Sequence, residues 1–439
     1  MKTFDLQDKI IAAGLALGVF LFLSADLGAP GVTWDEAYPS FHDSKRQAAW
    51  IANLFSSASS FSQETIDLYW ESTSDHPTIQ RSIAAISYLL FSPFLDEIIA
   101  FRLPVAFQFS VLIASIFLFL RLFVPKNSSV AGALSLVFMP RVFGHAHLAN
   151  LDTPIMCWWF WAAIIVFLVY HGRMRPIWFG LAFAIAFGAK LHAAFLPFPL
   201  LAWAAIQWFF NRDGKSEVGK RIISAVFWAC ILTPVLYIGL QPWLWHDAIP
   251  RIAHRFLGYA EKVPQRPIPL YYFGTIYAGN TPWHYPLVLF FFSLPPVVLL
   301  LWLIGLLPPL FAKTLWGRGD SRIAPTSRPV PASNWISLNG GIHLFLLFLF
   351  VTPLALLLLP MAQGYDGCRL FLPAFPFAAL MVGFGFDAVL SLLRRRMNFI
   401  IANSLVFLLM LVPPLYSYYK IHPYYLAYYN ELAGGIRGA

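Results

Sequence analysis

Titratable side chains stand in short polar segments between long apolar runs. Asp35 and Glu36 are adjacent in "TWDEAYPS", Asp75 and His76 share "SDHPTIQR", and Arg141, His145, His147 and Asp152 share "PRVFGHAHLANLD". Lys190 and His192 flank Leu191, and Asp366 and Arg369 share "GYDGCRLF". A carboxylate so placed can take a proton from an incoming hydroxyl or amine as a general base. Arginine and lysine can hold a leaving phosphate and stabilise the charge that grows on it. Ionisable groups at a membrane edge are costly to keep there, so the default reading of them is functional.

Each group also has a plainer use. Asp35 and Glu36 suit a solvated loop edge. Asp75 and His76 before Pro77 suit a helix N-cap with its proline, and Asp152 before "TP" suits the cap of a following helix. His145 and His147 are a candidate metal pair, although their spacing alone does not select a metal. Lys190 and His192 can snorkel to an interface. Trp243, Trp245 and Trp283 fit an interfacial belt.

The frame that must position these groups is a membrane bundle. Of 439 residues, 59% are hydrophobic and only 12% charged, about half the charge of a soluble domain. Apolar runs of about 18 residues or more recur, enough to cross a bilayer as helices. Spans are expected at about 10–27, 103–122, 128–143, 153–170, 176–189, 192–210, 222–240, 285–307, 341–360, 370–391 and 398–416. The fold class is therefore all-α and polytopic, with about 11 transmembrane helices. "SADLGAP" is a poor cleavage site because Asp26 and Leu27 stand where small neutral residues are wanted, so the first run reads as a retained span. Cys157 and Cys230 lie inside apolar runs and form no disulfide framework.

A formal charge of +9 raises nucleic acid as a partner, but in a membrane chain the position of the positive charge matters first. With the N-terminus cytoplasmic, the inner segments hold about 17 of the 30 Lys and Arg, including Arg394, Arg395 and Arg396 directly after a span. The candidate groups above then share the outer side. Outer loops run over 28–102 and 241–284. In the first, "SKRQAAWIANLF" places Ala48, Ile51, Leu54 and Phe55 on one face and Lys45, Arg46 and Gln47 elsewhere, as a helix lying in the interface would. "HPTIQRSIAAISYLLF" is short for a crossing and reads as juxtamembrane. The inner segment 311–339 is rich in Pro, Ser and Arg and reads as a linker.

Several of these stretches, in order, carry a resemblance. "TWDEAYPS" after the first span resembles the Asp-Glu motif in the first outer loop of dolichyl-phosphate-mannose–protein mannosyltransferases and their bacterial relatives, membrane glycosyltransferases of the GT-C fold. "DHPTIQR" is similar to that loop's His-Pro segment, with Thr78 where a second proline is usual. "FRLP", Phe101 to Pro104, is similar to the start of the family's second span. "MPRVFGHAHLANLDTPIM" is similar to the Pro-Arg…His…Asp stretch of the bacterial branch. "NTPWHYP", "YDGCRLFLPAFPF" and "YYNELAGGIRGA" match its later landmarks, with "CRLF" departing from the commoner Arg-His pairing.

The resemblance implies an inverting transfer of a sugar from a polyprenyl-phosphate-linked donor to a protein hydroxyl or an envelope glycolipid, on the periplasmic side of a bacterial inner membrane. Asp35 would be the general base and Glu36 would orient it or bind acceptor. Arg141, with Lys190 or Arg369, would hold the lipid phosphate, and Asp75, His76, His145, His147, Asp152 and His192 would complete the donor or acceptor site. Some relatives carry a divalent metal near this pocket and others need none. The expected organisation is a core module over 1–240, the second long outer loop over 241–284, C-terminal spans over 285–416, and an outer tail over 417–439 that family members often extend. A transporter or flippase of lipid-linked sugars is the alternative. It would call for charged or broken helices near the bilayer midplane.

Overall fold

The computed structural model describes residues 4–56, 58–71, 76–210, 215–265, 268–278, 281–307, 341–359 and 364–437. Asp75 and the 311–339 segment therefore lie outside the described residues. Among the described residues, eight helices are long and apolar enough to cross a bilayer: Leu6–Ser24, Glu97–Leu120, Asp152–Tyr170, Leu191–Phe210, Lys215–Gly239, Gly341–Leu358, Arg369–Leu393 and Phe399–Ile421. Shorter helices, Lys126–Val137 and Ile177–Ala189, occupy two further expected spans. The expected 128–143 span breaks after Phe138, and a separate short helix, Pro140–His145, follows with proline at its start.

The run at 285–307 also departs from a single straight span. It divides into Tyr285–Ser293 and Pro296–Leu306, bent by 118°. The sequence Leu294-Pro295-Pro296 explains the break: two successive residues lack an amide proton, and Leu294 is pushed into extended backbone.

The core lies where Glu97–Leu120, Asp152–Tyr170 and Arg369–Leu393 meet, the most buried of the spans. Leu6–Ser24 and Phe399–Ile421 are peripheral, leaving Leu17, Leu21, Ile400, Leu408 and Val412 exposed, as side chains facing lipid tails should be. At one end of the bundle, Asp8 accepts from Arg121 at 2.7 Å and Asp5 from Lys126 at 2.9 Å. The first helix carries the chain from that end to Asp26, Asp35 and Glu36 at the other.

There the loop between the first two spans folds into helices His42–Ala52, Gln63–Trp70 and Ile79–Phe91. The interface-helix expectation needs correction. Ser44, Gln47 and Ala48 face inward, whereas Phe55 is 92% exposed. Polar groups win the inner face because each finds a partner: Ser44 donates to the Arg81 carbonyl at 3.1 Å, and Gln47 accepts from Ser82 at 3.1 Å. The 241–284 loop adds a helix, Ala248–Gln265, and a small antiparallel hairpin of Pro269–Tyr272 and Thr275–Ala278.

Candidate active site

A cavity of about 1240 Å³ opens at this end of the bundle. One part of its wall is polar and charged, with Asp35, Tyr38, His76, Arg81, Arg141, His145, Lys190, Asp366 and Arg369. The other part is apolar and aromatic, made by the hairpin (Leu270, Tyr271, Phe273), the Tyr285–Ser293 helix (Tyr285, Val288, Leu289, Phe292) and the C-terminal stretch (Leu426, Tyr429, Ile436). Such a two-sided pocket suits a ligand with a charged head and a hydrocarbon tail.

Arg369, at the start of its span, is the hub of the polar side. Its guanidinium reaches Asp35 at 2.5 Å, Asp366 at 2.8 Å and Asp152 at 3.2 Å. Asp152 in turn accepts from Lys190 at 2.6 Å. Three carboxylates thus share two cations, which leaves one negative charge in the cluster. Asp152 opens its helix as the sequence suggests, but its side chain is 1% exposed and works inward, fixing both cations.

Glu36 has a different task from its neighbour. It is fully buried and pairs with Arg102 through two hydrogen bonds, 2.8 and 2.7 Å. It also accepts from the amides of Ala149 (2.8 Å) and Thr33 (3.1 Å). Arg102 holds the backbone carbonyls of Leu27, Pro30 and Gly31. This knot fixes the turn that presents Asp35 to the cavity, while Glu36 itself points away from it. Arg102 is the member that sequence reasoning missed. Its one signal was a charge in the apolar stretch "FRLP".

Arg141 stands at the join of the two walls. Its Nε donates to the Tyr428 carbonyl at 2.6 Å, and its guanidinium lies 4.2 Å from the centre of the Tyr429 ring. Among the described residues no carboxylate pairs with it. Beside it, Gly367 adopts φ +70°, and a Cβ there would strike the Arg141 Nη1, so glycine is needed on both counts.

The histidines separate. His76 and His145 line the cavity. Desolvation, helped by Lys190 and Arg81, pushes His76 down to about 3. Desolvation, reinforced by Arg369, Arg141 and Lys190 against Asp152, pushes His145 to about 4. Both are neutral at pH 7, so the cavity's positive charge comes from arginine and lysine. His147 turns away, bonding the Phe143 carbonyl at 2.8 Å and facing Asp26 at 3.7 Å. His192 is off the cavity wall, its ring 6.2 Å from that of Trp159. Among the described residues no group of three His, Cys, Asp or Glu side chains could hold a metal ion, and His145 and His147 face different ways, so these two do not form the metal pair their spacing offered.

Comparison with known proteins agrees with this architecture. Residues 75–238 match the family model described as dolichyl-phosphate-mannose-protein mannosyltransferase. No curated protein matches the chain. Among solved structures, the fold is similar to that of ArnT from Cupriavidus metallidurans bound to undecaprenyl phosphate, with a TM-score of 0.54, 16% identity and 89% of this chain covered. The apo state of the same protein gives 0.53 at the same identity. The chain covers 60% of the length of these ArnT chains. The sequence motifs, the family match over 75–238 and the helix arrangement agree: this is a polytopic membrane protein of the GT-C glycosyltransferase fold, resembling the dolichyl-phosphate-mannose–protein mannosyltransferases and their bacterial relatives.

Proposed function

We propose that the chain is an inverting glycosyltransferase that moves a sugar from a polyprenyl-phosphate-linked donor to an acceptor hydroxyl or amine. The observation that carries this reading is the position of Arg141, without a carboxylate partner among the described residues, where the charged wall meets the apolar one. A polyprenyl chain would lie along Tyr285, Leu289 and Tyr429, with its phosphate on Arg141 and the sugar toward Asp35. The bound undecaprenyl phosphate of the similar ArnT supports a donor of this kind.

In the reaction the acceptor oxygen attacks the anomeric carbon as the carbon–oxygen bond to phosphate breaks. The phosphate leaves with the bonding electrons, neutralised by Arg141, and Asp35 takes the acceptor's proton. Arg369 holds Asp35 in place while also pairing with Asp152 and Asp366. One displacement inverts the anomeric centre. The placement of Lys and Arg favours a cytoplasmic N-terminus and a periplasmic cavity in a bacterial inner membrane. Protein hydroxyl and envelope glycolipid both suit the open polar side as acceptor.

Arg141→Ala is expected to weaken binding of polyprenyl phosphate by about 2–5 kcal/mol, the cost of removing one partner of a desolvated charge pair. Asp35→Asn is expected to abolish turnover while that binding persists. Unchanged binding in the first variant, or near-normal turnover in the second, refutes the assignment concerned.

A second reading, transport of lipid-linked sugars, draws on the 118° break between Tyr285–Ser293 and Pro296–Leu306 beside the cavity, since broken helices line many transport sites. Sugar released from labelled donor onto an acceptor favours transfer. Labelled donor crossing a vesicle unchanged favours transport.

A further inference from the structure

The C-terminal stretch 422–430 runs along the cavity wall as a strap, and two of its residues touch Arg141: the Tyr428 carbonyl accepts from its Nε, and the Tyr429 ring faces its guanidinium. Its far end is pinned by Asn430. That side chain donates to the carbonyls of Phe291 (2.8 Å) and Leu294 (2.7 Å), at the break of the bent helix pair. Its near end meets Asp26, just past the first span. Asp26 Oδ1 lies 2.8 Å from His422 Nε2, and Oδ2 accepts from the Tyr425 hydroxyl at 2.5 Å. Between Tyr425 and Tyr428 the chain is a tight turn, with the Tyr428 amide donating to the Tyr425 carbonyl at 3.2 Å. A shift of Tyr425 therefore passes directly to the carbonyl that orients Arg141.

The packing beneath the strap allows no slack in one direction and little grip in the other. A Cβ on Gly144 would stand 2.9 Å from the Tyr425 Cβ, so the strap rests on the backbone of the helix that carries Arg141. Sideways, the Tyr425 ring packs against the rings of Phe143 at 5.2 Å, His147 at 5.3 Å, Tyr418 at 5.4 Å and His422 at 5.8 Å between centroids. Rings slide at small cost, whereas a charge-assisted hydrogen bond fixes position. The other group facing Asp26 is His147, whose Nε2 is 3.7 Å away and whose Nδ1 already bonds the Phe143 carbonyl.

We infer that Asp26 is a positioning residue for phosphate recognition, acting through His422 and Tyr425 on the strap and so on Arg141. The inference rests on the reading of the cavity as a lipid-phosphate site. It adds a residue from the far side of the first span, about 30 Å of helix away from the chain's start.

The test is a double-mutant cycle read by titration of polyprenyl phosphate into full-length protein in nanodiscs. Asp26→Ala and Tyr425→Phe are each expected to raise Kd roughly tenfold, the size of one lost positioning hydrogen bond. In an Arg141→Ala background the same substitutions are expected to change Kd by less than about twofold, because the group they position is gone. Tyr425→Phe removes only a hydroxyl and keeps the inference testable should Asp26→Ala fold poorly. Equal losses with and without Arg141, or no loss with it, overturn the inference. An Arg141→Ala variant that binds normally overturns the donor reading itself.

Discussion

Replacing Glu36 by Gln isolates what the buried knot contributes, because the amide keeps the shape and one acceptor oxygen but removes the charge. Both members of the pair with Arg102 are fully buried. Breaking a buried pair by neutralising one partner costs about 3–5 kcal/mol, since the remaining charge stays out of water. Here the three carbonyls of Leu27, Pro30 and Gly31 still solvate Arg102, which places the expected loss near the lower bound, about 3 kcal/mol. Arg102→Met should cost as much or more, because it leaves the buried Glu36 carboxylate without its cation and releases those carbonyls. In the double variant neither charge is stranded, so the sum of the single losses should exceed the double loss by more than 1 kcal/mol. The assay is reversible unfolding in mixed micelles, followed by turnover at a temperature where each variant is folded. Turnover should fall even there, because the turn that presents Asp35 is loosened. Strict additivity, or a Glu36→Gln variant of wild-type stability, would refute the claim that this pair fixes the loop.

Acidification should destabilise the fold through its buried imidazoles. His145 and His147 are held down to about 4 chiefly by desolvation, while an unfolded histidine titrates near 6.5. Between those values the unfolded chain binds more protons, so stability falls as pH drops from about 6.5 to 4, by about 3 kcal/mol for each histidine. A flat stability profile across that window would count against it, and His147→Gln should reduce the slope. Gly367→Ala, which forces a Cβ against Arg141 at φ +70°, should weaken polyprenyl phosphate binding at least tenfold with little change in expression; unchanged affinity would show that Arg141 can move away freely. Reporter fusions should place the loops bearing Asp35 and Asp152 in the same compartment, and opposite placement would dissolve the proposed centre.

Much was legible from composition alone. Apolar runs must leave water whatever their neighbours do, so most of the spans and the set of polar loops between them follow from local residue type. The groups on the cavity wall, among them Asp35, His76, Arg141 and Lys190, stood out for the same reason: charge beside lipid is costly unless used. Division of labour within the set was not legible. Asp35 and Glu36 are neighbours of identical charge, yet one faces the cavity and the other is buried, because Arg102 lies 66 positions further along the chain. His145 and His147 diverge because a helix of six residues ends between them. The orienting carbonyl of Arg141 comes from a residue 287 positions away. Sequence sets which groups must be near the membrane edge, since that depends on each segment's own free energy of transfer. Which of them meet is decided by contacts between distant segments, and only the packed bundle fixes those.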